Sequence, residues 1–129
     1  MGMSQAITDG IRVSVKSQYV PQRSQPEQGY FFFAYTVEIA NVGDASAQLT
    51  TRHWVITNAD GEIKEVHGDG VVGHTPLLQP GQAFQYTSFC PLNSEFGTMH
   101  GSFQMIRDDG SAFDAAVAAF ALATPTAVN

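Results

Sequence analysis

The sequence has one cysteine, few basic residues and no long apolar run. The single cysteine, Cys90, excludes an intrachain disulfide. Six lysines and arginines against twelve acidic residues give a formal net charge of −6. A charge of this sign disfavours nucleic acid and anionic membranes as partners. No apolar run approaches the roughly 20 residues of a membrane-spanning helix.

Signals for export and for catalysis are also missing. Residues 1–10 contain neither the basic nor the apolar segment of a secretory signal, so we expect a cytoplasmic protein. The sequence lacks the G-x-S-x-G pattern of serine hydrolases. Its four histidines show no H-x-H or H-x-x-x-H spacing of the kind found in metal sites. We therefore expect no catalytic residues, no metal ligands and no cofactor.

The sequence does have apolar side chains at alternate positions, and a period of two residues is typical of half-buried strands. In the first such segment Ile11, Val13 and Val15 alternate with polar residues. In the last one the alternation changes parity, which predicts a β-bulge near Ala118-Ala119; a short helix is the alternative for this alanine-rich stretch. Seven strands are predicted: 11–19, 30–39, 48–57, 62–67, 83–90, 97–107 and 112–122.

Seven strands joined by short turns favour an all-β, immunoglobulin-like sandwich of two antiparallel sheets. A small closed barrel is the alternative architecture. The length suits one domain, residues 1–129, with a core from about residue 10 to residue 123. We expect the ends, up to about Asp9 and from Thr124 onward, to be loose.

The segment Gly68-Asp69-Gly70-Val71-Val72-Gly73 matches the G-x-G-x-x-G pattern of dinucleotide-binding proteins. That chemistry needs a helix after the glycines, and two prolines and a glycine within residues 74–81 oppose one. The glycines are therefore interpreted first as turn residues, in a long loop whose apolar side chains pack on the sandwich. The alternative is a small anionic ligand bound by exposed amides, with Gly68, Asp69, Gly70, Gly73 and His74 as the candidate residues.

Two further alternatives concern the side chains around this loop and the aromatic residues. His67 and His74 flank the loop with Asp69 between them, an arrangement that could hold a divalent metal. Tyr30 and Phe32 point away from the core face of their predicted strand. This pattern indicates either a strand buried on both faces or a protein-binding surface.

Three segments resemble the ApaG family: residues 68–88, residues 97–105 and Arg52-His53-Trp54. The likeness extends from about Ile11 to Leu122, and the small residues Ala115-Ala116 are a minor departure in the last strand. The resemblance implies a fibronectin type III-like sandwich of seven strands. It also implies a small cytoplasmic protein linked genetically to cobalt tolerance and magnesium efflux.

Related domains in eukaryotic F-box proteins and in a polymerase-interacting protein imply a protein-interaction module. The resemblance implies no enzymatic activity and no agreed ligand. We therefore expect a non-catalytic module that binds a protein partner through a sandwich face or a loop end. A nucleotide, a pyrophosphate or a divalent metal at the glycine-rich loop is the alternative.

Overall fold

The chain forms two antiparallel sheets that pack face to face. The computed structural model describes residues 2–127. Two short 3-10 helices, Pro21–Arg23 and Pro26–Gln28, lie between the second and third strands. The strands are β1 Met3–Thr8, β2 Ile11–Tyr19, β3 Phe31–Asn41, β4 Ala47–Asn58, β5 Ile63–Asp69, β6 Leu77–Leu78, β7 Ala83–Leu92, β8 Phe96–Ile106 and β9 Ala112–Ala123. The predicted immunoglobulin-like sandwich is confirmed.

The first sheet has the order β1-β2-β3-β7, and the second has the order β5-β4-β8-β9. The two-residue strand β6 pairs with the start of β4, at Ala47 and Gln48. Each of the seven predicted strands is present. Within residues 2–127, neither helix is long or apolar enough to cross a membrane.

Alternating side chains from both sheets form the core. On the first sheet Phe33 and Val37 are fully buried. On the second, the Trp54 ring meets Phe103 and Phe120 edge-on, at centroid distances of 5.9 and 6.0 Å. Burial of each such side chain contributes about 1.5–3 kcal/mol. This shared core fixes the position of the two sheets and of the grooves between their edges.

The predicted bulge in β9 is confirmed. Met99 pairs with Phe120, whereas Gly101 pairs with Val117, so Ala118 and Ala119 together oppose one residue of β8. The extra residue returns both Val117 and Phe120 to the core, where each is buried. The alternative of a short helix in this stretch is therefore wrong.

The expectation of a loose N-terminus is wrong. Residues 3–8 form β1 and pair with β2, from Met3 opposite Lys16 to Thr8 opposite Ile11. Near the other end, Thr124 is buried and its amide donates to the Glu95 carbonyl at 3.0 Å. The predicted loose end also includes residues 128 and 129, which lie outside the described residues.

The two long sides of the sandwich differ. On one side β1 and β2 pack against β9. Ser17 Oγ donates to the Ala121 carbonyl at 2.6 Å, and the Ala116 amide donates to Thr8 Oγ1 at 3.0 Å. We call this the closed side. On the other, which we call the open side, the edge strands β5 and β7 leave a groove between the sheets.

Candidate functional site

The glycine-rich segment is a tight turn rather than an open loop. Val72 and Gly73 both have positive φ, 44° and 84°. The amides of Val71 and His74 each donate to the other residue's carbonyl, at 2.8 and 2.9 Å. This is the pattern of a two-residue hairpin turn with both central residues in the left-handed region. The chain then continues into β6 and not into a helix.

Two of the glycines are explained by close approaches. A Cβ atom on Gly68 would lie 2.6 Å from the guanidinium carbon of Arg52. Gly70 has a φ of 61°, and a Cβ there would collide with the His74 carbonyl. These glycines let β5 pass close to Arg52 and then turn sharply. The interpretation as turn residues is thus supported for Gly70 and Gly73 and is wrong for Gly68, which lies in β5 and is required by the close approach of Arg52.

The structure places the five predicted ligand residues at the end of β5, in the turn and against Phe84. Gly68 and Asp69 end β5, while Gly70 and Gly73 belong to the turn. The Gly70 amide donates to the Thr50 carbonyl at 2.8 Å, so three amides of the segment are already bonded to backbone oxygens. The His74 ring packs on Phe84, with 5.5 Å between the ring centroids.

The apolar side chains of the segment are divided between core and surface. Val71 and Leu78 are buried, as expected for a loop that packs on the sandwich. Val72 and Leu77 are about half exposed. The prediction that all four pack on the sandwich is therefore wrong for Val72, which lies at the tip of the turn, and for Leu77, which alternates with the buried Leu78 in β6.

At the open side a groove lies between β4 and β5 on one wall and β7 on the other. Its volume is about 540 Å³, which is within the range of ligand-binding pockets. We call it the edge groove. Its apolar lining consists mainly of Trp54, Ile56, Val66, Leu92 and Met99.

Arg52 lies at one end of the edge groove and is held by the glycine-rich segment. Its Nη1 donates to the carbonyls of Asp69 and Gly70, both at 2.9 Å. The bare backbone at Gly68 leaves room for the guanidinium. The segment thus orients a cation toward the groove.

Polar contacts close the other end of the edge groove. Asn58 Nδ2 donates to Asn93 Oδ1 at 2.9 Å, and the Ala59 amide donates to Ser94 Oγ at 3.1 Å. These bonds tie the β4–β5 turn to the β7–β8 turn. The groove is therefore bounded by a turn contact at one end and by a cation at the other.

Burial controls the titratable groups at the groove. Desolvation raises the pKa of the Cys90 thiol to about 11, which keeps the thiol protonated at neutral pH. Desolvation likewise raises the pKa of Tyr35, against a contact with Ser88 that lowers it. These groups are neutral, and the charge at the groove comes from side chains such as Arg52 and Lys64.

A second polar cluster lies on the outer face of the β5–β4 pair. His53 and His67 are direct cross-strand neighbours, and their rings stack with 4.1 Å between centroids and 7° between planes. His53 Nε2 lies 2.8 Å from Glu65 Oε1. We call His53, Glu65 and His67 the histidine cluster.

Sequence spacing did not reveal the histidine cluster, because its members are far apart along the chain. The β4–β5 turn at residues 58–61 could have done so. Residues at equal distances from Asp60 face each other in this hairpin, as His53 and His67 do. The predicted partner of His67, His74, lies instead against Phe84.

The aromatic residues on the outer face of the first sheet are covered by the chain itself. Phe32 is only 6% exposed. It stacks on Phe89 at 5.4 Å, and the Arg23 guanidinium lies 4.2 Å from its ring centroid. Two-sided burial therefore explains Phe32, while Tyr30 and Phe89 keep about 41% and 51% of their surface exposed.

Relatives with this architecture are found by both sequence and structure. Protein ApaG of Anaeromyxobacter dehalogenans strain 2CP-C is 53% identical over 127 residues, covering 98% of this chain and all of that protein. Protein ApaG of Beijerinckia indica is 48% identical over 123 residues, 95% of each chain. The crystal structure of the ApaA protein of Bordetella pertussis superposes with a TM-score of 0.87 at 47% identity, covering 89% of this chain and 94% of that one.

The family model of the ApaG domain matches residues 21–107. This range includes the glycine-rich segment, Arg52 and both strands that border the edge groove. The match covers more than half of the chain, and the relatives above extend the likeness to nearly all of it. The chain belongs to the ApaG family.

Proposed function

We propose that the chain is a non-catalytic, cytoplasmic binding module that recognises an extended segment of another protein at the edge groove. The supporting observation is an apolar groove that runs beside an edge strand. Within residues 2–127, β5 pairs with β4 alone. The backbone groups on its other edge are available for an added strand.

The groove lining indicates the chemistry of the partner. Its apolar residues would receive apolar side chains, which alternate along an extended peptide. Two of the six basic residues of the chain, Arg52 and Lys64, line the same groove, which has one acidic lining residue, Glu62. The proposed partner segment therefore carries alternating apolar residues and a carboxylate that reaches Arg52.

The association of the ApaG type with cobalt tolerance and magnesium efflux enters this proposal as an effect exerted through the bound protein. The residues of the groove also support the proposed absence of catalysis. The groove combines a neutral thiol, the tyrosine Tyr35, whose pKa burial raises, and a guanidinium already bonded to carbonyls. This set supports binding better than it supports proton transfer.

A peptide-display selection against the tag-free protein tests the proposal. We expect enrichment of extended peptides with alternating apolar residues and at least one acidic residue. Trp54 is the sole tryptophan and lines the groove, so binding should change its fluorescence emission. Amide shifts in NMR spectra should concentrate in β5 and β7.

Two variants and one control localise the binding. Ile56→Lys places a charge in the groove and should abolish binding, with folding checked by circular dichroism. Lys64→Glu changes an exposed side chain and should weaken binding of acidic peptides by about tenfold. Lys16→Glu, on the outer face of the first sheet, should leave affinity unchanged. Enriched peptides that leave Trp54 and β5 unaffected, or the failure of any peptide to bind, would contradict the proposal.

An anionic ligand held by Gly68, Asp69, Gly70, Gly73 and His74 is the weaker proposal, since three amides of this segment already donate to carbonyls. A calorimetric titration with ATP tests it. Saturable heat that disappears in His74→Ala would favour this alternative. His74 is the suitable position because its side chain is exposed, whereas any side chain at Gly70 would collide with backbone.

A further inference from the structure

The histidine cluster lies on the face of the second sheet opposite the edge groove, and neither the groove nor the glycine-rich turn accounts for it. We propose that His53, Glu65 and His67 form a binding site for a divalent transition-metal ion such as Zn²⁺. One ligand atom from each residue lies within 4.8 Å of the others. The site is independent of the proposed peptide groove.

The distances are close to those that a metal requires. Ligand atoms bound to one tetrahedral zinc ion are about 3.3 Å apart, given metal–nitrogen bonds of about 2.0–2.1 Å. His53 Nε2 and Glu65 Oε1 are already 2.8 Å apart. The stacked imidazole rings need a modest side-chain rotation to direct one nitrogen each at the same ion. Glu65 and His67 are exposed and His53 is half-buried, so such a rotation is sterically open.

The backbone places the three ligands before a metal binds. His53 lies in β4, which pairs with β8 on one side and β5 on the other. His67 pairs directly with His53, and Glu65 lies two residues along the same edge strand, on the same face. A cluster set by strand register loses less freedom on binding than one assembled from loops.

The charge around the cluster favours a cation. Asp69 is two residues from His67, is exposed, and lies on the same face of β5 as Glu65. Of the nearest basic residues along the two strands, Lys64 lines the edge groove on the other face, whereas Arg52 also borders a pocket with His67 and Asp69. The two carboxylates, Glu65 and Asp69, outnumber this one cation, so the net charge beside the cluster still favours a bound cation.

The ligand types define the class of metal. Two imidazoles and one carboxylate suit zinc, copper or nickel, whereas magnesium prefers oxygen ligands in an octahedral arrangement. Three protein ligands leave a fourth position for water or for a group from a partner. We therefore expect one transition-metal ion per chain and no competition from magnesium.

Calorimetric titration of the tag-free protein with ZnCl₂ tests the site. We expect one equivalent to bind the wild type, with no change in affinity when MgCl₂ is added. His53→Gln and His67→Gln should each weaken binding by more than about tenfold, since even residues outside the metal shell alter affinity on this scale. Both positions are on the outer face, where glutamine is tolerated in a strand.

His100→Gln is the matched control, because His100 is an exposed histidine of the same sheet, in β8, outside the cluster. It should bind zinc as the wild type does. In NMR spectra of the imidazole nitrogens, zinc should shift the signals of His53 and His67 and leave those of His74 and His100 in place. Absence of stoichiometric binding, or binding that survives His67→Gln unchanged, would overturn the proposal.

Discussion

The closed and open sides of the sandwich are both bordered by edge strands, but these strands meet on the closed side and are separated by a groove on the open side. On the closed side, Ser17 and Thr8 form hydrogen bonds with the backbone of β9, so the two sheets are joined at their margin. On the open side, β5 and β7 stay apart and leave a groove of about 540 Å³. Hydrogen bonds between the β4–β5 turn and the β7–β8 turn, such as that of Asn58 with Asn93, close one end of this groove.

This difference bears on stability and on the proposed binding. On the closed side, Leu122 is fully buried. At the edge groove Trp54 and Met99 are also buried, whereas Ile56 is half-buried and Lys64 is exposed. The half-buried and exposed residues of the groove contribute less to stability and leave surface for the proposed partner. The following substitutions test that division, from the largest expected effect to the smallest.

Leu122→Ala and Ile56→Ala remove aliphatic side chains from the two sides. Leu122, in β9, is fully buried, so its truncation should lower the free energy of unfolding by about 3 kcal/mol. Ile56 is half-buried at the groove, and its truncation should cost about 1 kcal/mol. Urea unfolding measures both. Equal losses would mean that the open side is packed like the core.

Arg52→Met removes the guanidinium that holds the glycine-rich segment. Loss of its two bonds to the carbonyls of Asp69 and Gly70 should lower the free energy of unfolding by about 1.5 kcal/mol. Amide hydrogen exchange at residues 70–74 should become faster. The control is Arg12→Met, which breaks a surface ion pair with Glu38 and should cost less than about 0.5 kcal/mol. Unchanged exchange in Arg52→Met would show that the turn holds itself.

Ser17→Ala tests the hydrogen bonds of the closed side. It leaves the Ala121 carbonyl without its 2.6 Å donor, and the expected loss in free energy of unfolding is about 1 kcal/mol. Ser14→Ala, in the same strand, removes an exposed bond to Gln5 and should be nearly neutral. Thermal unfolding compares the two. A similar effect for both serines would remove the distinction between this margin and the solvated face.

Cys90→Ala tests the smallest effect, a dependence of stability on pH at the groove wall. Burial raises the pKa of the thiol to about 11 from an ordinary value of 9.0, so the folded state binds this proton more tightly than the unfolded state. The resulting stabilisation is complete below pH 9 and is lost as the pH rises toward 11. The midpoint temperature of thermal unfolding, measured between pH 8 and 11, should therefore fall more steeply with pH in the wild type than in Cys90→Ala. Parallel curves would show that the thiol is in contact with water.

The sequence predicted most of the fold because the core strands alternate clearly. The bulge at Ala118-Ala119 was predictable because the apolar side chains change parity along the last strand. An extra residue is needed to return both sets of side chains to the core. Strand β1 was missed because its alternation is weak. Met3 and Ile7 lie on the outward face and are exposed, at 66% and 59%, so apolar parity gave no indication of an inner face. Strand β6 has only two residues, too few for any periodicity.

The candidate sites were less predictable for a different reason. A histidine pair such as His53 and His67 depends on the register between two strands, which a search for short spacings does not test. The edge groove depends on which strands become sheet margins, and that is decided by the pairing of the whole chain. The glycine pattern at residues 68–73 was visible, but its cause was not. Arg52 comes from another strand, and only the fold brings it against Gly68.

Within residues 2–127 one margin of β5 has no strand partner, and this has a consequence for how the protein behaves when crowded. An unpaired strand edge is a template for aggregation through strand addition between identical chains. Here Glu62, Lys64 and Glu65 are exposed along or beside this margin, and each would lose water if a second copy paired there. A partner that offers complementary charges avoids that cost. In the proposed function, charged side chains that oppose strand addition between copies would also restrict which segment can pair with β5.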